Sequence, residues 1–359
     1  MRSKTFLMLL IIFLILLSIF YFIFSYKNKH SGEKQTRVLF DSLPVEKVSK
    51  IYIISNEGKI TLKEEKSLWT VEERFNYTAD FSLIMDLVNK IKTMKAGRSF
   101  NSSNDSMSRL GLRNPEEKNI NDQEKGIRVI ISDNYDKMLA DIVFGKTREL
   151  TAGAGGHYIM PFNSQTIYLI DKKFDEMGKK PEDWIQKNII NIDEKDIKKV
   201  VCFTSENSKQ VYSLDRPDKD SSPIMPGMPG VKTLIDSKID DVFTALSPLS
   251  IENVAADIDS FDKSSIDAPF IFEYHLYNGI IYNITPGNPK DPGKKKYYAY
   301  VKAIKSPEVK TVADDAGSKN AQEVEKINKS IEHWLFEIPD WKFKRFYGNQ
   351  EDLHLKDKS

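Results

Sequence analysis

The chain has 359 residues, which is enough for two domains of ordinary size, each with its own buried core. Its 53 Lys and Arg residues nearly balance its 52 Asp and Glu residues, and the formal net charge is +1. This balance argues against a nucleic-acid-binding protein and against long-range attraction of an acidic substrate. The single cysteine, Cys202, excludes an internal disulfide, and its apolar surroundings in KKVVCFTS predict a buried side chain.

An uncharged, almost wholly apolar run extends from Phe6 to Tyr26. As an α-helix it would span about 30 Å, which matches the hydrocarbon core of a bilayer. A cleaved signal peptide has a shorter apolar region and a small-residue cleavage site, and neither is found here. We therefore predict a transmembrane anchor at residues 6–26, within an N-terminal region of residues 1–37. Basic residues flank the run on both sides, so charge alone leaves the membrane side undecided.

Two segments, residues 43–62 and 192–211, align with each other without a gap. The aligned apolar pairs are Leu43 with Ile192, Val48 with Ile197, Ile51 with Val200, Ile53 with Cys202 and Leu62 with Val211. Each copy predicts a polar turn, a strand, a second turn and a second strand. The alignment indicates an internal repeat.

A one-sided apolar helix is predicted downstream of each copy. The first has apolar residues at Ile84, Leu87, Val88, Ile91 and Met94, and the second at Ile239, Val242, Phe243, Leu246 and Leu249. Such stripes usually pack on the protein's own sheet, although they could also form a groove for a partner. Each helix leads into a strand, and strand-rich segments separated by turn residues follow.

These patterns predict an α+β fold, with a transmembrane helix followed by two tandem, internally repeated units. Each unit is a β-meander plus a helix, with mostly antiparallel sheets. The predicted boundaries are residues 38–187 for the first unit, 188–345 for the second and 346–359 for a polar C-terminal tail. Within the second unit we predict a helix over Ala321–Ile338. Its apolar side would carry Val324, Ile327, Ile331, Leu335 and Ile338.

The segment ELTAGAGGHYIM, residues 149–160, is the one that most resembles a phosphate-binding loop. Such a loop lies between a strand and the N-terminus of a helix, whose free N–H groups meet the anion. Here a predicted strand follows instead of a helix, and no Gly-Lys-Ser/Thr is present. We predict a hairpin in which the glycines supply positive φ.

No other motif predicts a reaction centre. His30, His157, His275, His333 and His354 lack the spacing of a zinc site. The chain has no G-x-S-x-G motif, and its cysteine has no histidine-linked signature. Asp257, Asp259 and Asp262 could hold calcium, but they lack the spacing of an EF-hand loop. We therefore assign no catalytic, cofactor-binding or metal-binding residue.

Two further segments allow two interpretations each. Tyrosines cluster in the second unit, where they indicate either a half-buried sheet or a platform for a ligand or sugar. They are Tyr274, Tyr277, Tyr282, Tyr297, Tyr298 and Tyr300. The Pro- and Gly-rich segment DRPDKDSSPIMPGMPG, residues 215–230, is either a flexible loop or an apolar binding tip.

The order of several segments resembles one bacterial family. The apolar helix is followed by LFDSLPVEKVSKIYI and GKITLKEEKSLWTVEE, then by AGRSF, LGLRNP and IVFGKT…HYIMPFNSQTIYLID, and finally by DWIQKNIINIDEKDIKKV and WLFEIPDWKF. Over nearly its whole length the chain resembles the bacterial domain-of-unknown-function family 4340. Its members are typically single-span membrane proteins encoded beside gliding-type ABC transporter permeases and their auxiliary subunits. No catalytic motif defines the family, so the resemblance carries over no site residues.

The resemblance implies a protein of the inner (cytoplasmic) membrane whose C-terminal domain is extracytoplasmic or periplasmic. It also implies ABC transporter permease and auxiliary subunits as partners. We therefore expect a membrane-anchored accessory or scaffold protein that acts by protein–protein interaction. We do not expect an enzyme, a cofactor or a nucleic-acid partner, and a small-molecule ligand stays unknown. The alternative is an envelope ligand-binding protein or hydrolase that uses the tyrosine-rich second repeat.

Overall fold

A computed structural model of the protein describes residues 37–148, 155–227, 233–262, 265–290, 296–307 and 315–355. The predicted anchor at residues 6–26 lies outside these ranges. None of the helices within them combines the length and the apolar composition that a bilayer crossing requires. The described chain is a mixed α+β protein with antiparallel sheets of ten and eight strands, which confirms the predicted class.

The elements have the following bounds. The strands are β1 (Arg37–Val38), β2 (Lys50–Ser55), β3 (Gly58–Glu65), β4 (Leu68–Val71), β5 (Tyr77–Thr78), β6 (Lys95–Asn101), β7 (Ile127–Ser132), β8 (Met138–Arg148), β9 (Gly156–Pro161), β10 (Thr166–Ile170), β11 (Asn188–Ile190), β12 (Ile197–Thr204), β13 (Gln210–Asp215), β14 (Leu249–Ser250), β15 (Asn253–Asp257), β16 (Ile266–Asp267), β17 (Phe270–Leu276), β18 (Ile280–Pro289), β19 (Tyr297–Lys305) and β20 (Trp334–Ile338). The α-helices are α1 (Phe81–Thr93), α2 (Asn104–Leu110), α3 (Asp236–Phe243), α4 (Asp315–Ile331) and α5 (Asp340–Phe343). Short 3₁₀ helices occupy Val45–Lys47, Glu72–Arg74, Asp122–Glu124, Pro181–Asp183, Glu194–Asp196 and Gln350–Leu353.

The chain forms two compact units, and each is discontinuous in sequence. The first comprises the chain up to Lys59 and Met85–Met177, and the second comprises Ile60–Ile84 and the chain from Gly178 onward. The sequence pattern gives no indication that residues 60–84 pack with the second unit. The predicted boundaries after residues 37, 187 and 345 stay predictions.

Specific contacts hold residues 60–84 within the second unit. The Arg74 Nε donates to Asn253 Oδ1 at 2.7 Å, and its guanidinium also forms an ion pair with Glu182. The Tyr77 ring meets Trp334 edge-on, with 5.7 Å between the ring centroids. Because Asn253 and Trp334 follow much later in the chain, the second unit needs both parts of the sequence.

The sheet of the first unit has the strand order β1-β6-β10-β9-β8-β7-β2. Strands β3, β4 and β5 belong almost entirely to the second unit, where β4 pairs with β3 and with β5. In β2, Ile51 and Ile53 are fully buried and alternate with more exposed residues, as the period of two in a strand dictates. On β7, Val129 and Ile131 repeat the pattern and extend the core.

The eight-stranded sheet lies in the second unit and has the order β13-β12-β17-β18-β19-β20-β15, with β16 paired to the end of β18. Its core face is fully buried and strongly apolar. The residues on it include Val200, Cys202, Phe272, Tyr274, Ile284, Val301 and Phe336. The burial of Cys202 is as predicted.

Six strands follow one another in the same spatial order in both units. In the first unit this order is β6-β10-β9-β8-β7-β2, and in the second it is β15-β20-β19-β18-β17-β12. The strands correspond one to one along the chain as well, because β2 is matched by β12, β8 by β18 and β10 by β20. Helix α1 precedes β6, and α3 similarly precedes β15.

The two predicted apolar stripes, on and just after α1 and α3, are buried, which confirms their role in the core. The predicted helix over Ala321–Ile338 is wrong in its second half. Helix α4 ends at Ile331, and Trp334–Ile338 form strand β20. Strand β20 pairs with both β15 and β19, so these residues gain hydrogen bonds on two sides as a strand, and Leu335 and Ile338 are buried in the sheet.

Residues 339–355 pack on the second unit. Leu353 is fully buried, and the Tyr212 hydroxyl donates to the Tyr347 carbonyl oxygen at 2.7 Å. Lys342 on α5 is only 1% exposed, and its Nζ donates to the Ala245 carbonyl oxygen at 3.1 Å. Burial, assisted by the nearby positive charge of Arg345, lowers the pKa of the Lys342 amine to about 8.

Candidate functional site

The second unit contains a partly open cavity of about 210 Å³. Its floor is one face of the eight-stranded sheet, and its cover is the segment between β15 and β17. The floor residues are Thr285 and Gly287 of β18, Tyr298 and Tyr300 of β19, and Leu335 of β20. The cover residues are Ile258, Phe261, Ile266 and Ala268.

The strand register builds the floor. Thr285 pairs with Tyr300, and Tyr300 pairs with Leu335, so these three residues form one row across three strands. Successive strand residues point to opposite faces, and Ala299 and Val301 lie buried in the core. Tyr298 and Tyr300 therefore project from the other face of the sheet, towards the cavity.

Gly287 brings the cover close to the floor. A Cβ atom at this position would collide with the Ile266 side chain and would lie 3.1 Å from both Ala268 Cβ and the Asp267 carbonyl oxygen. The absence of a side chain lets β16 pair with the end of β18, where Ile266 is opposite Pro289. Glycine thus allows two backbones to approach closely here.

The cavity wall offers hydroxyl groups and no other polar side chain. The hydroxyls of Thr285, Tyr298 and Tyr300 form no hydrogen bond with another residue that the structure describes. Partial burial and then the Glu332 carboxylate raise the pKa of Tyr300, and Asp259 acts in the same direction. The Tyr300 hydroxyl therefore stays neutral at physiological pH and can donate or accept a hydrogen bond.

The rim of the cavity is acidic on its cover side. Asp257 and Asp259 flank Ile258, and Asp267 lies between Ile266 and Ala268. Asp259 and Asp267 are exposed, Asp257 is partly exposed, and no ion pair joins these three to other residues within the described ranges. Because the cover residues alternate with these carboxylates along the chain, the cover side of the apolar interior is bordered by negative charge. Next to the floor tyrosines, Lys296 and Lys302 form ion pairs with Glu337 and Glu332.

The equivalent place in the first unit is filled. Val143 on β8 pairs with Met160 on β9, and Ile167 lies on β10. These three residues form a buried cluster with Leu112, and Met107 and Leu110 of the α2 segment pack against it.

The correspondence extends to sequence positions. Val143 and Thr285 are each the sixth residue of their strand, and Ile167 and Leu335 are each the second. Gly145 follows Val143 by two residues, as Gly287 follows Thr285. A Cβ atom at Gly145 would lie 2.8 Å from Leu112 Cγ, so glycine again lets the cover approach the floor. The cavity of the second unit is therefore the open counterpart of a closed core.

This arrangement is suited to binding. No lining residue carries a group that is ionised near neutral pH, so the lining offers neither a general base nor a charged nucleophile. Within the described ranges, no three His, Cys, Asp or Glu side chains come close enough together to hold a metal ion. What the cavity offers is apolar surface, three hydroxyls and an acidic border.

The residues singled out in the sequence do not converge on one centre. Burial raises the pKa of the Cys202 thiol to about 12, so this cysteine stays protonated and unreactive at neutral pH. His157 is buried in the first unit and accepts a hydrogen bond from the Phe174 backbone N–H through Nδ1, at 3.3 Å. His275 lies on β17 in the second unit, 3.1 Å from the Glu273 carboxylate. Of the acidic cluster, Asp257 and Asp259 lie at the cavity rim.

The glycine-rich segment joins two strands, as predicted. Strands β8 and β9 flank it and pair antiparallel, with Arg148 opposite Gly156, and residues 149–154 lie outside the described ranges. The predicted reason for the glycines is wrong at Gly155 and Gly156, which do not adopt positive φ. At Gly156 a Cβ atom would lie 2.6 Å from the Ile170 carbonyl oxygen, so close strand approach is the cause.

The tyrosine cluster divides between core and cavity. Tyr274 and Tyr282 are buried in the sheet, and Tyr297 stacks on Phe343 with 4.4 Å between the ring centroids. Only Tyr298 and Tyr300 line the cavity. Sequence reasoning missed the cover residues and Leu335, although the shared glycine after Val143 and Thr285 was a visible signal.

Comparison with known protein families identifies one family that matches the chain. The family described as "Domain of unknown function (DUF4340)" matches residues 69–269, which is more than half of the chain. The protein belongs to this family. A search among curated proteins found no match.

The residues that match DUF4340 form only part of the cavity. It begins within β4 and ends at the residue before β17. It therefore includes the four cover residues of the cavity, but not the strands β18, β19 and β20 that form its floor. The family description assigns no activity to either part.

Proposed function

We propose that this DUF4340 protein is a membrane-tethered scaffold of a gliding-type ABC transporter assembly. A helix at residues 6–26 would anchor it in the inner membrane, with its two units on the extracytoplasmic side. It would act by binding partner proteins, including the permease and its auxiliary subunits. The observation that carries the proposal is the cavity, whose apolar wall and accessible hydroxyls are suited to recognition and not to a chemical step.

Tethering has a physical use in such a protein. A domain confined near its membrane partner binds at a high effective concentration, so contacts that are individually weak are sufficient. A small cavity can therefore contribute to a membrane complex without binding its partner tightly by itself.

We also propose that the two units arose as a tandem repeat. The shared order of six strands supports this, as does the match between the Val143 and Thr285 positions, each followed by a glycine. A duplicated fold provides two related surfaces, which can diverge so that one stabilises the protein while the other binds.

The alternative function is an envelope ligand-binding protein or hydrolase. Tyr298 and Tyr300 in the cavity wall favour it, because such rings and hydroxyls also recognise sugars and small ligands. The size of the cavity counts against it, since pockets for whole ligands usually enclose about 300–1,000 Å³. A cavity of about 210 Å³ is closer to the size of one side chain.

The test compares three versions of the protein in cells: the native chain, a chain whose first 26 residues are replaced by a cleaved signal peptide, and a chain with an unrelated single-span helix. We expect the permease and auxiliary subunits to co-purify with the first and third versions only. A reporter fused at Ser359 should be active on the extracytoplasmic side. Equal co-purification of the untethered version would refute tethering as the cause, and cytoplasmic reporter activity would refute the assigned side.

A further inference from the structure

We propose that the cavity of the second unit receives one large apolar side chain from a basic segment of a partner polypeptide. This side chain would take the place that Met107 and Leu110 occupy in the first unit. The inference rests on the proposed function, because it names the chemistry of the partner that such a scaffold would recognise.

The first step compares the floors of the two sites. Val143, Met160 and Ile167 in the first unit and Thr285, Tyr300 and Leu335 in the second occupy equivalent strand positions. The first row is sealed by side chains from the connection that precedes β7. The first unit therefore shows that a row at this position accepts aliphatic side chains from a peptide segment lying across it.

The second step compares the segments that cover the two rows of floor residues. Leu112 lies three residues before Pro115, and Ile266 lies three residues before Pro269, so Ile266 corresponds to Leu112. Both would touch a Cβ atom placed on the glycine beneath them. Helix α2 has no counterpart among the described residues between Asp257 and Pro269, and the cavity remains in this cover region.

The third step is size. An enclosed apolar cavity of about 150 Å³ is sufficient to bind a benzene molecule. The cavity here, at about 210 Å³, has room for a leucine, methionine or aromatic side chain, but not for a cofactor. Anchor side chains of this kind, seated in a desolvated pocket, contribute most of the binding energy of many protein interfaces.

The fourth step is charge. Residues 257–267, which cross the cover, carry four aspartates and one lysine. A segment with Lys or Arg on either side of its anchor residue would complement this rim. An anionic lipid surface would be repelled by it, since such surfaces attract basic segments and not acidic ones. The charge therefore favours a polypeptide over a phospholipid.

The experiment uses the full chain in nanodiscs and short peptides of the form KKGSXGSKK as the probe, where X is Leu, Phe or Trp. Binding is followed by line broadening and saturation transfer in the NMR spectrum of the peptide. We expect the best of these peptides to bind at least about tenfold more tightly than the peptide with X as Ala. Glutamate in place of the four lysines should abolish detectable binding.

Variants of the protein locate the binding site. Ala268→Phe and Thr285→Phe, on the cover and on the floor, should each fill the cavity and remove binding. The control variant, Ala321→Phe, introduces the same Ala-to-Phe change at an exposed position on α4. It should leave peptide binding unchanged. Asp259→Asn with Asp267→Asn should weaken binding several-fold, whereas Glu206→Gln with Asp240→Asn, two exposed acids elsewhere in the unit, should not. Hydrogen exchange of β18 and β19 shows whether each variant is folded.

The proposal is overturned if the Leu, Phe and Trp peptides bind no better than the Ala peptide, or if folded variants with filled cavities bind as well as the native chain. Binding of palmitate or of phosphatidylglycerol vesicles at this cavity, without peptide binding, would also overturn it. The proposed function is judged separately by co-purification. A tether-dependent complex with no peptide binding refutes only the cavity inference, and peptide binding without a complex refutes only the scaffold role.

Discussion

The connections that cover the two sheets differ in length and in local signals, with 25 residues between β6 and β7 and 12 residues between β15 and β17. In the first unit, Ser103 and Ser106 form a capping box at the start of α2, and Gly111 ends the helix with φ of 64°. These are strong start and stop signals for a helix. In the second unit the segment between Asp257 and Pro269 contains no glycine, and its described residues form no α-helix.

This difference indicates what separates the closed site of the first unit from the open cavity of the second. The strand order and the glycine beneath the cover are kept in both units, so the sheet itself is not the cause. In the first unit Met107 and Leu110 of the α2 segment seal the floor, whereas in the second unit the described residues of the connection form no α-helix and a cavity remains. The predictions below test this contrast through matched positions in the two units.

The largest contrast is expected between Leu112→Ala and Ile266→Ala. Leu112 is 1% exposed in a closed cluster, so truncation should leave a void and cost about 2–5 kcal/mol. Ile266 already borders an open cavity and is half-buried, so its truncation should cost less than about 1.5 kcal/mol. Pulse proteolysis of the membrane-inserted chain in urea measures the free energy of unfolding of both variants. Equal losses would mean that the second site is as closed as the first.

A second matched pair is Gly145→Ala and Gly287→Ala. The new methyl group at Gly145 meets the Leu110 backbone carbonyl, which is part of the helix-containing cover and cannot move alone. We expect a loss of about 2–3 kcal/mol there. At Gly287 its nearest neighbour is the Ile266 side chain, which can rotate into the cavity, so the loss should be about 1 kcal/mol or less. The same urea titration tests the pair, and a reversed order would contradict the proposed room beside Ile266.

A third prediction concerns a charge buried in the second unit. Lys342→Met removes an amine that has lost most of its hydration, so stability at neutral pH should rise by about 1–2 kcal/mol. The folded amine has a pKa of about 8, below its usual 10.5, so the unfolded chain binds the proton more tightly. The native protein should therefore gain stability as pH rises from 8 to 10.5, and the variant should not. Lys344→Met, at an exposed lysine two residues further along the chain, is the control and should change stability by less than about 0.5 kcal/mol.

The smallest effect near neutral pH is expected from the buried base of the first unit. Burial lowers the pKa of His157 below its usual 6.5, although the Asp175 carboxylate opposes the shift. The unfolded chain then binds a proton that the folded unit does not, so the first unit should lose stability as pH falls below 6.5. His157→Phe should remove this acid dependence, and His275→Phe in the second unit should leave it intact. Hydrogen exchange of β8 and β9 between pH 7.5 and 5.5 measures it, and an unchanged acid response in His157→Phe would assign the effect to other groups.

The sequence was sufficient for the local pattern of this fold. Alternating apolar residues predicted the strands, and the stripes beginning at Ile84 and Ile239 predicted the buried helix faces, because these signals depend on neighbours a few residues apart. The end of α4 was missed because Leu335 continues the helical spacing, while its pairing with Tyr300 is a long-range contact that spacing does not encode. Such tertiary strand pairing overrides the local helical propensity of a segment.

The cavity could not be predicted from the sequence for a related reason. Tyr298 and Tyr300 belong to the tyrosine cluster that the sequence shows. A cavity remains only where the covering segment leaves space above the floor, and the path of that segment is not encoded in the residues of the floor. Comparing IVFG at 142–145 with ITPG at 284–287 would have aligned the two floors. It would still not have shown that the segment carrying Phe261 leaves space where the segment carrying Leu110 does not.

The discontinuity of the second unit has a consequence for protein synthesis. Tyr77 leaves the ribosome early, yet its ring partners Trp334 and Phe336 are among the last residues to be made. At about 5–20 residues per second, the roughly 270 residues that follow Ile84 need on the order of ten seconds or more to translate. Throughout that interval the Tyr77 ring lacks the two rings that it contacts in the folded protein, and a chain that ends near Met177 never acquires them.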